Sequence, residues 1–344
     1  MRATATHIND TGSIFLILLV SFFLGACTKT ENLQRDTRPW FLRYPAHFPS
    51  PSFPPDNEPN EVRIELGKAL FYDPVLSIDS SISCASCHKQ EHAFADIQAN
   101  TPGVFDRPGT RNVPGIFNLA YQSAFLREAS LPSLEMQVLV PIQEHNEFNS
   151  NIVDIAEKLK NIPWYDSMSK LAYNREPDAF TITRSIAAFE RTIVSAGSKY
   201  DQVKLGRKHF TNSEKLGYAL FTQKLNCARC HPEPFFTNDK AMNNGLYPSY
   251  DDPGRWRVTK NPGDSGSFKV PSLRNVALTP PYMHDGSLPS LQEVINHYQS
   301  GGKKGPYQHP WIQAFQLSPE EKLALIDFLK TLSDEAFIQD PNYR

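Results

Sequence analysis

The pattern of apolar and polar positions predicts a helical protein. Between Glu61 and Phe71, the residues Ile64, Leu66, Ala69 and Leu70 recur at helical spacing. Ile152 to Leu159 and Ile182 to Val194 read the same way. Ser318-Pro319-Glu320-Glu321 is a capping box with proline in the first helical position. It opens a last helix through Leu323, Ile326, Phe328 and Leu329. The segments between are rich in Gly, Pro and Asn, with few alternating runs. One further apolar run, Ile14 to Leu24, is too short for a comfortable membrane span. The prolines 39, 45, 49, 51, 54, 55 and 59 predict an extended tether rather than a folded element.

The pattern also repeats. Leu66-Gly67-Lys68-Ala69-Leu70-Phe71 returns as Leu216-Gly217-Tyr218-Ala219-Leu220-Phe221. Val113-Pro114 with Asn118 and Ala120 returns as Val270-Pro271 with Asn275 and Ala277. Leu131-Pro132-Ser133-Leu134 returns as Leu288-Pro289-Ser290-Leu291. The separation from Val113 to Leu131 equals that from Val270 to Leu288, which chance rarely gives. The chain is built by duplication.

Each copy holds one cysteine motif. Cys84-Ala85-Ser86-Cys87-His88 and Cys227-Ala228-Arg229-Cys230-His231 are C-x-x-C-H pentapeptides. That spacing reads as covalent attachment of a c-type haem, with the adjacent histidine as an iron ligand. A lone copy could be half of a zinc site. Two copies, with no other paired cysteines, point to two haems. The fifth cysteine, Cys27, follows Leu24-Gly25-Ala26 and the apolar run, which looks like a lipoprotein signal; a plain signal peptide or a short anchor is the alternative. Export agrees with c-type haem attachment, so the expected location is the periplasmic face of a bacterial membrane, held by the lipid alone. No cysteine remains for a structural disulfide.

Length and charge bound the rest. A chain of 344 residues can hold two domains, each with its own core. A net charge of -2 implies no nucleic-acid partner. The expected fold is mainly α, with two cytochrome c-like haem domains related by duplication and joined by helices and long loops. The expected division is a signal over 1–27, a tether over 28–60, a first haem domain over 61–205 and a second over 206–344.

The twin haem motifs, Arg111-Asn112-x-Pro114, Leu134-Glu135-x-Gln137, Pro141-Ile142 and Thr279-Pro280-Pro281-Tyr282-Met283-His284-Asp285-Gly286 together resemble the bacterial di-haem cytochrome c peroxidase family. The likeness runs from about Glu61 to the last helix. It implies that hydrogen peroxide reacts at the His88 haem. Electrons would reach it through the His231 haem from a small cytochrome c, a cupredoxin or an oxidisable protein. The resemblance also implies a calcium ion held by the Asn112 side chain and the carbonyls of Thr279 and Pro281. Hard oxygen donors suit calcium. Read alone, Asn112 is a turn residue before Pro114.

Splitting the O–O bond of peroxide needs a group that takes one proton and returns it to the departing oxygen. By resemblance Glu147 is that group and Gln137 stands beside it. Read alone, Glu144, His145 and Glu147 form a solvated polar loop. Between Ala93 and Glu144 there is no histidine to close the first iron; His92 lies too near His88, and His145 is a weaker candidate. The iron is expected to be open to peroxide without prior reduction. At the second haem the matching distal position holds Tyr298, as in the MauG-like branch, where classical members have methionine. Met283, Met242 and His297 are rivals, and a core aromatic is the bland alternative. A hard, anionic phenolate favours ferric iron, whereas a soft thioether favours ferrous. Where the family usually has an inter-haem tryptophan this chain has Arg127, which cannot relay an electron. Phe125 and Tyr121 are other aromatics for that path, and His284 is expected near the inter-haem region. The alternatives to a peroxidase are oxidative modification of a partner protein and a non-catalytic di-haem electron carrier.

Overall fold

Two crossed helix pairs carry the fold of this computed structural model, which describes residues 38–344. The expected signal and Cys27 lie outside the described residues. In the first half, helix Glu61–Tyr72 crosses helix Ala179–Glu190. In the second, helix Asn212–Ala219, prolonged by a π-helical turn Leu220–Lys224, crosses helix Pro319–Lys330. The duplicated glycine explains both crossings. A Cβ on Gly67 would stand 1.8 Å from the carbonyl oxygen of Ser185, and one on Gly217 would stand 1.9 Å from that of Ala324. Only glycine lets these backbones approach so closely.

Local signals set the helix ends. Asn60 caps Val62, and Asp178 with Thr181 forms a capping box. Ser318 and Glu321 form the expected box ahead of Pro319–Lys330. The helix expected over Ile182 to Val194 runs instead over Ala179–Glu190. The Asp178 cap starts it earlier, and the chain then turns to bury Ile193. The helix expected to end at Leu159 continues one residue, as Ile152–Lys160. The short helices Leu134–Gln137 and Leu291–Gln299 start at the paired serines Ser133 and Ser290. The described sheet structure is one antiparallel pair, Ala241–Met242 with Phe268–Lys269.

An aromatic triad is repeated in the core. Phe71 packs on Phe94 and Phe189, with ring centroids 6.2 and 5.2 Å apart. Phe221 packs on Phe236 and Phe328 at 5.9 and 5.3 Å. All six side chains are buried. Phe71 and Phe221 end the repeated Leu-Gly block, Phe94 and Phe236 follow the two cysteine motifs, and Phe189 and Phe328 lie in the crossing helices, so the two halves share a core as well as motifs.

Residues 38–59 depart from expectation. They do not trail away as a tether. Phe41 and Phe48 are buried, and Asn57 donates to Glu135 Oε1 at 2.8 Å and to the Arg184 carbonyl at 2.9 Å. Phe48 lies under the Arg274 guanidinium and against Phe235. Proline straightens a backbone, but it does not stop the intervening aromatics from burying apolar surface. Among the described residues no helix is long and apolar enough to cross a membrane.

Candidate active site

Each cysteine pair occupies one helical turn, Cys84–Cys87 and Cys227–Cys230, with His88 and His231 as the C-caps. A three-residue step on a helix puts both sulfurs on one face. His88 Nδ1 lies 2.8 Å from the Phe94 carbonyl oxygen. His231 Nδ1 lies 2.9 Å from the Phe236 carbonyl and 3.1 Å from that of Pro271. These acceptors place the ring proton on Nδ1 and leave Nε2 as the ligand atom. Burial also pulls both imidazoles below their ordinary value, which favours the neutral, ligating form. Phe94 and Phe236 hold these carbonyls with φ of 56° and 54°.

A cavity of about 840 Å³ runs between the two motifs and is lined by all four cysteines and both histidines. Several polar atoms on its wall have no protein partner. Gln137 Oε1, Arg127 Nε and Glu190 Oε2 are buried and unpaired. A wall with two ligand histidines, four inward thiols and waiting polar atoms fits two attached porphyrins.

Glu147 lies on the cavity wall at the Cys84–His88 end, where its charge acts on Cys84 and Cys87. Its carboxyl is pushed up to about 7 by burial and by Glu144, partly opposed by Arg111. The loop that carries it is clamped: Val104 N donates to the Glu147 carbonyl at 3.0 Å. A Cβ on Gly103 would stand 2.0 Å from the Asn146 carbonyl oxygen. Gln137 closes the short helix after Ser133 and also lines the cavity. Glu147 is exposed, but the surface it presents lines the cavity rather than the outer face of the loop. His145 is exposed, with Nδ1 3.2 Å from Arg107 Nη1 and from Asn149 Oδ1. Neither His145 nor His92 is among the cavity-lining residues.

At the other end Tyr298 lines the cavity near Cys227 and Cys230. Burial pushes its phenol up to about 12, with the Asn244 amide opposing. Met283 shares this wall, its Sδ 3.2 Å from Asn244 Nδ2. Met242 Sδ sits 3.7 Å from Cys230 Sγ. His297 turns away and places Nε2 3.1 Å from the Asn244 carbonyl.

Between the two ends lie Asn112, Thr279 and Pro281. Arg127 Nη2 donates to the Asn112 carbonyl at 2.6 Å and to its side-chain oxygen at 3.1 Å. Burial pulls the guanidinium down to about 10, with Arg111 acting the same way and Asp285 opposing, so it stays charged at neutral pH. His284 stacks on Phe268, centroids 3.9 Å apart. Phe125 lines the cavity, whereas Tyr121 stacks on Phe235 outside its lining.

Glu190 on the cavity wall and the charged partners of Arg111 escaped the sequence reading. Glu190 is fully buried and its carboxyl is pushed up to about 8 by burial. Arg111 binds Glu128 at 2.6 Å and Asp252 at 2.6 Å. Asp252 comes from a loop far along the chain, so no local signal announces the pair. Glu190 ends an apolar helix face, and that position was its one available sign.

Duplicated c-type motifs on a shared cavity define a di-haem cytochrome c. Residues 61–209 match the family described as di-haem cytochrome c peroxidase, and residues 214–333 match cytochrome c. The chain is 36% identical over 318 residues to the methylamine utilization protein MauG of Methylorubrum extorquens, covering 90% of this chain and 89% of that one. It is 33% identical over 363 residues to the cytochrome-c peroxidase IdrP1 of a Pseudomonas species, covering 94% and 93%. Among solved structures it resembles a MauG-like protein associated with microbial copper homeostasis, with a TM-score of 0.83 and 32% identity over 88% of this chain and 98% of that one. The chain belongs to the di-haem cytochrome c peroxidase family, which includes MauG. Two covalently bound c-type haems are its cofactors.

Proposed function

We propose that this protein reduces hydrogen peroxide at the His88 haem with electrons passed through the His231 haem from an external donor. When bound, the two haems supply the redox chemistry. The observation that carries the reading is Glu147, a carboxyl on the cavity wall at the His88 end with Gln137 on the same wall. Glu147 takes a proton from the bound peroxide and returns it to the departing oxygen. The unpartnered Gln137 oxygen accepts a hydrogen bond from the substrate. His88 and His231 would hold the haem irons through Nε2, since the Phe94 and Phe236 carbonyls orient each ring through Nδ1. Two electrons and two protons reduce one peroxide to two waters, and the electrons come from a small cytochrome c or a cupredoxin.

The finer parts of this reading are an N-terminal peroxidatic domain over 61–205 and an electron-transfer domain over 206–344. They also include export to the periplasm, anchoring by a lipid on Cys27, and Tyr298 as the second ligand on the His231 iron. Tyr298 is favoured over His297, whose ring is engaged elsewhere, and over Met242, which sits against Cys230. Calcium at Asn112, Thr279 and Pro281 is left out, because Arg127 already holds the Asn112 side-chain oxygen.

A second reading is oxidative modification of a partner protein, favoured by Tyr298 on the cavity wall and the similarity to MauG. Stopped-flow absorption of the ferric holoprotein with peroxide, before and after half-reduction, tests the first reading. Prompt spectral change without reduction, followed by fast turnover with a reduced donor, is expected. Slow turnover with a covalently altered partner would favour the second. Two low-spin haems inert to peroxide would leave a simple electron carrier.

A further inference from the structure

Each polar atom of Asn112 has a protein partner. Its N–H donates to the His284 carbonyl at 2.9 Å, and its Nδ2 donates to the Gln98 carbonyl at 3.2 Å. Both of its oxygens accept from Arg127 Nη2. The Gln98 contact fixes which end of the amide faces the guanidinium. Arg127 is itself held from the other half of the molecule, since Lys269 N donates to its carbonyl at 2.6 Å. A dication at the same oxygens would sit within a few ångströms of this positive charge, with Arg111 adding more repulsion. A further donor, Arg127 Nε, is buried without a protein partner on a residue that lines the cavity. The carboxylates that a porphyrin carries are the natural partners for such a cation.

We infer that the Arg127 guanidinium is the resident cation between the two haem sites. It occupies the Asn112 side-chain oxygen that the family resemblance assigns to calcium, and the holoprotein therefore holds no tightly bound calcium. The guanidinium binds oxygens on one side and a haem carboxylate on the other, while the Arg127 backbone carbonyl joins the two halves by accepting from Lys269 N. A covalently held charge cannot be removed by a chelator. This inference rests on the haem sites and not on peroxide chemistry, so its test reads metal content and stability rather than turnover.

The mature holoprotein, with both haems confirmed by mass, is treated with a chelator and desalted. Its calcium is measured by plasma mass spectrometry, and its ferric spectrum and Tm are recorded before and after calcium is returned. The expected result is far less than one calcium per chain, with spectrum and Tm unmoved. Arg127→Gln removes the charge and should make Tm rise on addition of millimolar calcium; Arg127→Lys keeps the charge and should stay unresponsive. Nearly one calcium per wild-type chain, or a wild-type spectrum altered by the chelator, overturns the inference. So does an Arg127→Gln protein with wild-type Tm and no response to calcium.

Discussion

Gly67 lies directly under the carbonyl of Ser185, so close that an added methyl would stand 1.8 Å from the oxygen. Gly217 repeats this against Ala324. Gly67→Ala must push two helix backbones apart and tilt the helix that leads into the Cys84 turn. A loss of about 1–3 kcal/mol, or more, is expected from such overpacking. Denaturant melts of Gly67→Ala and Gly217→Ala check this, and wild-type midpoints for both would contradict the close crossing.

Glu147 supplies a pH dependence with a definite sign. Its carboxyl, pushed up to about 7 by burial, must be ionised to accept a proton. The rate of the ferric protein with peroxide should therefore rise as pH increases through about 7 and then level off. Glu147→Gln should lower that rate by about 10²- to 10⁴-fold and remove the rise. Stopped-flow rates across the pH range decide it. An unchanged rate in the variant removes Glu147 from the mechanism.

Glu190 carries a linkage to stability. Burial raises its carboxyl from 4.5 to about 8, so the folded state keeps a proton that the unfolded state releases. Its contribution is fully present below the unfolded value and is lost as pH rises towards about 8. The slope is at most on the order of 1 kcal/mol per pH unit. Glu190→Gln should flatten the fall in stability across this window. Equal slopes for the variant and wild type, measured by denaturant melts at acid, neutral and mildly alkaline pH, would refute it.

The buried Asp201–Arg274 pair ties the Ser198 turn to the second haem domain. Both side chains are fully buried and meet through two bonds of 2.9 Å. Burial works against the Asp201 charge, but Arg274 and Ser198 more than offset it and hold the carboxyl below its usual value. Asp201→Asn leaves the guanidinium buried and unpaired. A loss of about 3–5 kcal/mol is expected. A loss below about 1 kcal/mol in guanidinium melts would show that the charge pair is dispensable.

The sequence by itself determined the haem attachment points, the duplication and the helical class. These are local matters: a fixed spacing of cysteines and histidine, a cap beside an apolar stripe, a block of residues copied at a constant interval. Even the glycine at each helix crossing was visible as a repeated letter, though its purpose was not. Only the tertiary structure decided what those letters meet. It packed residues 38–59 onto the body, because aromatic burial between prolines depends on surfaces far along the chain. It put Glu147 on the cavity wall and left His145 off it, a difference set by the Val104 and Gly103 contacts rather than by the loop's own polarity. It brought Asp252 to Arg111, raised Glu190 by burial, and closed Arg127 onto Asn112. Burial and charge pairing are sums over neighbours distant in sequence, and they take their values only once the chain has folded around its two haem sites.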